Sequence, residues 1–160
     1  MATSVDLTWL AMERARYDSL FDSHTELPRW GLFLDRTAVA LDRADASGRG
    51  IAVFVLDDAH LPGQETDVRH VADLLRSRLR PGDALARLGD ERFAAMCCDV
   101  TSDADAAQLA RHLIYDSGLV CELAIALSRH GDVPETLIGR ALMAFAPPEL
   151  ESEPDPIATT

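Results

Sequence analysis

Lysine is missing from this chain: all 15 of its Lys and Arg positions are arginine, set against 27 acids, for a formal net charge of -12. So acidic a protein has no basic surface with which to neutralise phosphates, which excludes non-specific nucleic-acid binding. Any anion site must be built from arginine forks or backbone N–H groups. Cysteine is scarce. Cys97, Cys98 and Cys121 are odd in number and sit in apolar runs, so they read as reduced, buried thiols and not as a disulfide framework. The histidines show no ligand spacing; His60 and His70 lie nearest to acids, and no His/Cys metal site is expected. No apolar run approaches the roughly 18 residues that a membrane-spanning helix needs. The first residues carry acids in place of the basic-then-apolar pattern of a secretory signal. The expectation is a cytoplasmic protein with no membrane partner.

What is present is a 48% hydrophobic chain of 160 residues, enough for one domain with a sizeable core. It shows no internal repeat and no domain boundary. Leu7, Leu10, Ala11, Ala15 and Leu20 keep a weak helical period, so residues 1–21 are expected to form an N-terminal helix, as a stalk, a dimer contact or a docked part of the core. Residues 22–28 read as a loop, and Pro28 can open a helix that stops near Gly48 and Gly50. Residues 51–56 are a continuous β-prone run, a strand buried on both faces, with Asp57 and Asp58 following at its end. A loop over 61–65 leads to an amphipathic helix over 66–80, capped by Thr66 or Asp67 and ended by Pro81-Gly82. Next comes a hairpin, with strands over 84–88 and 93–98 and a turn at Gly89 to Glu91. A helix over 103–115, a strand over 119–127 and a helix over 134–146 complete the domain, which spans 22–146. The tail 147–160, rich in Pro and Glu, is expected to be disordered.

One central, mostly antiparallel sheet flanked by helices, with a hairpin midway along the element order, is an α/β sandwich of the ferredoxin-like or polymerase-palm type. In that arrangement the end of the first strand lies beside the hairpin turn, and Asp57 and Glu91 face one another. Two acids on adjacent strand ends are a pattern for Mg²⁺, which takes few carboxylates and leaves room for phosphate oxygens. Asp and Glu are also common at strand ends because they are solvated there. Spacing alone leaves both readings open.

The run Leu85-Ala86-Arg87-Leu88-Gly89-Asp90-Glu91-Arg92-Phe93 resembles the signature hairpin of the GGDEF domain, the diguanylate cyclase family, which has Gly-Gly, Asp or Glu, then Glu-Phe. The likeness spans about residues 22 to 146 through weaker matches in order. Asp22-Ser-His-Thr-Glu-Leu-Pro-Arg29 is similar to the family's opening turn, and Leu32-Phe-Leu-Asp-Arg36 to its next helix. Leu56-Asp57-Asp58 stands where the family has Leu-Asp-x-Asp, and Arg80-Pro-Gly-Asp83 precedes the hairpin at the usual distance. The resemblance implies a GGDEF, nucleotidyl-cyclase fold and gives Asp57 and Glu91 the place of metal ligands.

The departures matter as much. Asp90 replaces a Gly at which only a residue without Cβ lets the backbone approach a nucleotide. Arg92 reverses the charge of the fourth-position acid. The connection after Asp57 is shorter by about nine residues, which removes a guanine-holding Asn while sparing the fold. Glu65 falls near the second guanine-reading acid. The Asp and Lys of the family's C-terminal helix are gone from Ala141-Leu-Met-Ala-Phe-Ala-Pro147. A shifted alignment of Gly89-Asp90-Glu91 would restore the acids but spoils strand alternation before Phe93.

The resemblance thus implies a degenerate member with no catalysis at Asp57, Asp58, Gly89, Asp90, Glu91 and Arg92, and with at most a vestigial metal site at Asp57 and Glu91. No cofactor is required; Mg²⁺ enters only alongside a nucleotide. Arg80 and Asp83 match the family's inhibitory Arg-x-x-Asp site for cyclic di-GMP, with Arg111 near a second arginine of that site. Arg80-Pro-Gly-Asp83 also reads as an ordinary helix end. The expected function is a cyclic di-GMP-responsive signalling or protein-interaction module, with a protein partner or a homodimer. An active cyclase joining two GTP and a nucleotide-independent interaction domain are the alternatives.

Overall fold

A computed structural model of the chain describes residues 3–63 and 67–145. Its elements are α1 (Thr3–Leu20), α2 (Trp30–Ser47), β1 (Ile51–His60), α3 (Val68–Arg78), β2 (Ala84–Arg87), β3 (Phe93–Cys98), α4 (Asp103–Ala110), which runs into a π-helical turn (Arg111–Tyr115), β4 (Val120–Leu127) and α5 (Pro134–Met143). The four strands form one antiparallel sheet in the order β2-β3-β1-β4. The α/β sandwich read from the sequence is the observed fold. Glu65 and the segment 147–160 lie outside the described residues. Among the described residues no helix is long and apolar enough to cross a membrane.

Alternation along β1 divides the core. Ala52, Phe54 and Leu56 pack with Leu85 and Phe93 against α3 and the α4 side, through Val71, Leu75, Leu113 and Ile114. Ile51, Val53 and Val55 pack with Met96 against α2 and α5, through Phe33, Leu41, Leu137 and Ile138. Each of the larger of these side chains gains about 1.5–3 kcal/mol on burial, which makes β1 the organising strand. Local signals set the helix ends. The Asp67 carboxylate accepts from the Arg69 N–H at 3.0 Å, the Ser102 hydroxyl accepts from Asp105 N–H at 3.1 Å, and Pro134 opens α5. Gly48 closes α2 in the left-handed region at φ 77. At Gly50 a Cβ would stand 2.6 Å from the Val100 carbonyl, so only glycine fits where the chain enters the sheet.

Several expectations are corrected. Pro28 does not open α2: Arg29 is its N-cap and Trp30 its first residue. β1 does not stop at Leu56 but runs on to His60, with a register shift between Asp57 and His60. Asp58 sits in that bulge at φ 54, a backbone state that Asp tolerates better than most residues. α3 ends at Arg78, two residues before Arg80. Cys97 is buried, whereas Cys98 and Cys121 are half-buried; all three are free thiols. Burial pushes their pKa values up, that of Cys121 to about 11, which leaves them unreactive.

Candidate functional site

The bulged end of β1 meets the turn between β2 and β3. The Leu88 and Gly89 N–H groups both donate to the Arg92 carbonyl, at 2.8 and 3.3 Å, and close the turn. The Ala59 N–H donates to the Glu91 carbonyl at 3.3 Å. Asp57, Asp58, Gly89, Asp90, Glu91 and Arg92 line one open hollow with Leu88. The structure therefore brings together every residue that the sequence assigned to the degenerate centre.

Arg87 pins this turn from behind. Its Nε donates to the Gly89 carbonyl at 3.0 Å and its Nη2 to the Asp90 carbonyl at 2.8 Å. Its Nη1 donates to the Asp22 carboxylate at 3.0 Å, with both side chains only 11% exposed. The same carboxylate oxygen accepts from the backbone N–H and the hydroxyl of Thr25, at 2.9 and 2.7 Å. Burial pushes the Asp22 carboxyl up, but the Thr25 and Arg87 hydrogen bonds outweigh it and hold it below the ordinary carboxylate value. Sequence reading missed this pair. The signal was there in the spacing Asp22-x-x-Thr25, an Asx-type turn, and in an arginine beside the apolar run of β2.

Asp57 does not face Glu91. Across the strands its partner is Arg92, whose Nη2 donates to the Asp57 Oδ2 at 3.0 Å. The Arg92 guanidinium also lies over the Phe145 ring, 5.3 Å from its centre, just past α5. The Arg92 hydrogen bond and charge hold the Asp57 carboxyl below its usual range. Glu91 and Asp90 are exposed. The hollow thus holds four carboxylates and one guanidinium, and the guanidinium occupies the carboxylate that a dication would use. Mg²⁺ binds oxygens at about 2.0–2.1 Å in near-ideal octahedral geometry, so it would have to evict Arg92. Among the described residues no group of three or more His, Cys, Asp or Glu could hold a metal ion. As placed, Arg92 competes with a dication for Asp57.

Arg80 and Asp83 are together, and bound to one another. The Arg80 N–H and Nε donate to Asp83 Oδ2 at 3.0 and 3.3 Å. The Cys98 N–H donates to Asp83 Oδ1 at 3.0 Å, and Arg80 Nη2 donates to the Cys98 carbonyl at 2.7 Å. This closed circuit ties the end of β3 to the loop before β2. The Asp83 side chain is 2% exposed, while that of Arg80 is 50% exposed. Arg111 is exposed at the start of the π-helical turn, whose neighbouring carbonyls of His112 and Asp116 accept from Arg78 at 3.4 Å each.

No protein-family model matches the chain. Among curated proteins it is 30% identical over 147 residues to the diguanylate cyclase TpbB of Pseudomonas aeruginosa, a match that takes in 78% of this chain. The chain spans about a third (34%) of that relative's length. The crystal structure of the GGDEF domain of PA1120 (YfiN or TpbB) from the same organism superimposes with a TM-score of 0.63 at 27% identity, covering 75% of this chain and 88% of that one. The coiled coil and GGDEF domain of DgcB from Caulobacter crescentus, solved in complex with c-di-GMP, superimposes with a TM-score of 0.67 at 17% identity, covering 95% and 92%.

Proposed function

This chain is a member of the GGDEF domain family, and from that premise we propose that it has lost cyclase chemistry and works as a signalling module whose output is contact with a protein. One observation carries the reading: the Arg92 guanidinium, seated over Phe145, holds the Asp57 carboxylate at 3.0 Å. An internal cation takes the place of the divalent ion, and no step of nucleotide transfer can be routed through a carboxylate so engaged. Charge supports the same reading. Asp57, Asp58, Asp90 and Glu91 surround the hollow, and a triphosphate brought there meets like charge with only Arg92 to offset it.

The first test is incubation of the full chain with GTP and Mg²⁺, with products resolved by chromatography. No cyclic di-GMP above the protein-free control is expected; sustained turnover would overturn the proposal in favour of an active cyclase working through Asp57, Asp90 and Glu91.

A second reading makes the module responsive to cyclic di-GMP at Arg80 and Asp83, with Arg111 as a further cation. It is favoured by the half-exposed Arg80 guanidinium. Against it stands the Asp83 carboxylate, whose two oxygens are already taken by Arg80 and Cys98. Calorimetry with cyclic di-GMP separates the two. Heat that disappears in Arg80→Ala selects the ligand-responsive module, and absence of heat selects the nucleotide-independent one.

A further inference from the structure

β4 is an outer strand of the sheet, and its edge, unpaired among the described residues, is self-complementary. The hydrogen-bond phase follows from two contacts: Ser128 N–H donates to the Ile51 carbonyl at 2.9 Å, and Ile51 N–H turns back to the Ser128 hydroxyl at 2.9 Å. Since Ala52 pairs with Leu127 and Asp57 with Glu122, alternation makes Glu122, Ala124 and Ala126 the residues bonded to β1. Cys121, Leu123 and Ile125 then direct both N–H and C=O outward. Leu127 does the same, but Arg140 Nη2 already donates to its carbonyl at 2.7 Å. The opposite edge of the sheet is treated differently: the outward N–H of Arg87 in β2 donates to the Pro28 carbonyl at 3.1 Å. A groove lined by Ala106, Ala107, Ile125 and Leu127, with Asp103 and Arg140 also in its wall, runs beside the β4 edge, and Ile125 and Val120 are exposed.

We infer that this edge pairs with the β4 edge of a second copy of the chain, antiparallel about a twofold axis through Leu123. Leu123 then faces its own symmetry mate, and Cys121 faces Ile125 of the other chain. All three outward residues find partners, with two backbone hydrogen bonds per pair. Glu122, the one charge in the strand, falls opposite Ala124 and diagonal to its own copy, so no like charges stand directly opposite one another. The outward-facing residues share one face of the sheet, so the second copy's Cys121 meets Ile125 at the mouth of the groove beside α4. The chain's own remaining segment is a poor occupant. Residues 146–160 place Pro147, Pro148, Pro154 and Pro156 around Glu149, Glu151, Glu153 and Asp155, which limits the backbone donors to short runs, the longest of them carrying three glutamates toward an apolar edge.

Sedimentation velocity of the full chain, from micromolar to millimolar concentration, is expected to show mass moving reversibly toward two chains. Leu123→Pro removes an outward N–H and spares the bonds to β1, and Ile125→Lys puts a charge in the joint. Both are expected to stay monomeric, and Ile125→Lys keeps the test open should the proline variant fail to fold. In a Cys121→Ser background, Leu123→Cys stands about 5.5 Å from its mate by Cα, within disulfide reach, and is trapped by mild oxidation. Ala124→Cys stands about 7–8 Å from its mate in this register and is not trapped. A wild-type chain that is monomeric at millimolar concentration overturns the inference. So does a dimer that both edge variants leave intact.

Discussion

At position 92 a single codon decides what Asp57 can do. Replacing Arg92 by Ala removes the donor at 3.0 Å and the cation over Phe145. Both partners of the pair are about one-third exposed, so solvent screens it and the stability loss should stay below about 1 kcal/mol. The carboxyl is the more sensitive reporter: in Arg92→Ala, NMR titration should find the Asp57 pKa moved up toward its ordinary value, because the Arg92 hydrogen bond is its leading perturbation. An unmoved Asp57 would show that the pair does not persist in solution. Asp22 behaves otherwise, being buried and bonded to Thr25 and Arg87. Removing the carboxylate in Asp22→Ala strands the Arg87 guanidinium, and denaturant unfolding should report a loss of about 3–5 kcal/mol. The pH sign follows from its lowered pKa. Its contribution is complete above the unfolded-state carboxylate value of about 3.9 and is lost as pH falls through the lower folded value. Asp22→Asn should therefore flatten the acid limb of the stability curve below about pH 4; an unchanged limb would assign that limb to other acids, of which Asp132, brought to about 2 by the Arg140 hydrogen bond, is the next in line.

Among the elements, β1 carries both the core and the site, and its two ends are held by different devices. At its start, Gly50 leaves no room for a Cβ against the Val100 carbonyl. Gly50→Ala sets side chain against backbone, and thermal unfolding should show a cost of about 1–3 kcal/mol; a neutral substitution would mean that the β1–β3 corner shifts freely. At its far end, the bulge puts Asp58 at φ 54. This is where legibility from sequence ran out. The apolar run Ile51 to Leu56 announces a strand because burial on both faces leaves no polar position. Beyond Leu56 the strand is held by pairing to Glu122 and Val120 and by the Glu91 carbonyl, which are long-range bonds with no local pattern. The hairpin was legible for the opposite reason: its turn is local and Gly89 to Glu91 is turn chemistry. The gathering of Asp57, Asp90, Glu91 and Arg92 could be read from topology. The pairing of Asp57 with Arg92 in place of Glu91 could not, because it depends on which way an arginine at the end of the turn points and on Phe145 arriving from beyond α5.

For the whole molecule the decisive feature is a sheet with a separate core on each face. Phe54 lies at the centre of the layer under α3 and α4, and Phe33 in the layer under α2 and α5; both are 0% exposed. The sheet lies between them, and the two side chains belong to no common cluster. Each truncation to Ala should cost about 3–5 kcal/mol. With the two rings in separate clusters on opposite faces of the sheet, the double variant should show the sum of the two costs to within about 0.5 kcal/mol. Because many small domains have only about 5–15 kcal/mol of stability in all, the comparison is better made with Phe33→Leu and Phe54→Leu, which leave a measurable folded baseline. Denaturant melts of the two single variants and the double one give the coupling directly. Additive costs with a single transition would mark two layers that unfold together because β1 belongs to both. A large coupling would show that strain crosses the sheet, and the Arg92–Asp57 contact, which sits where β1, β3 and the chain beyond α5 converge, would then respond to packing changes in either layer.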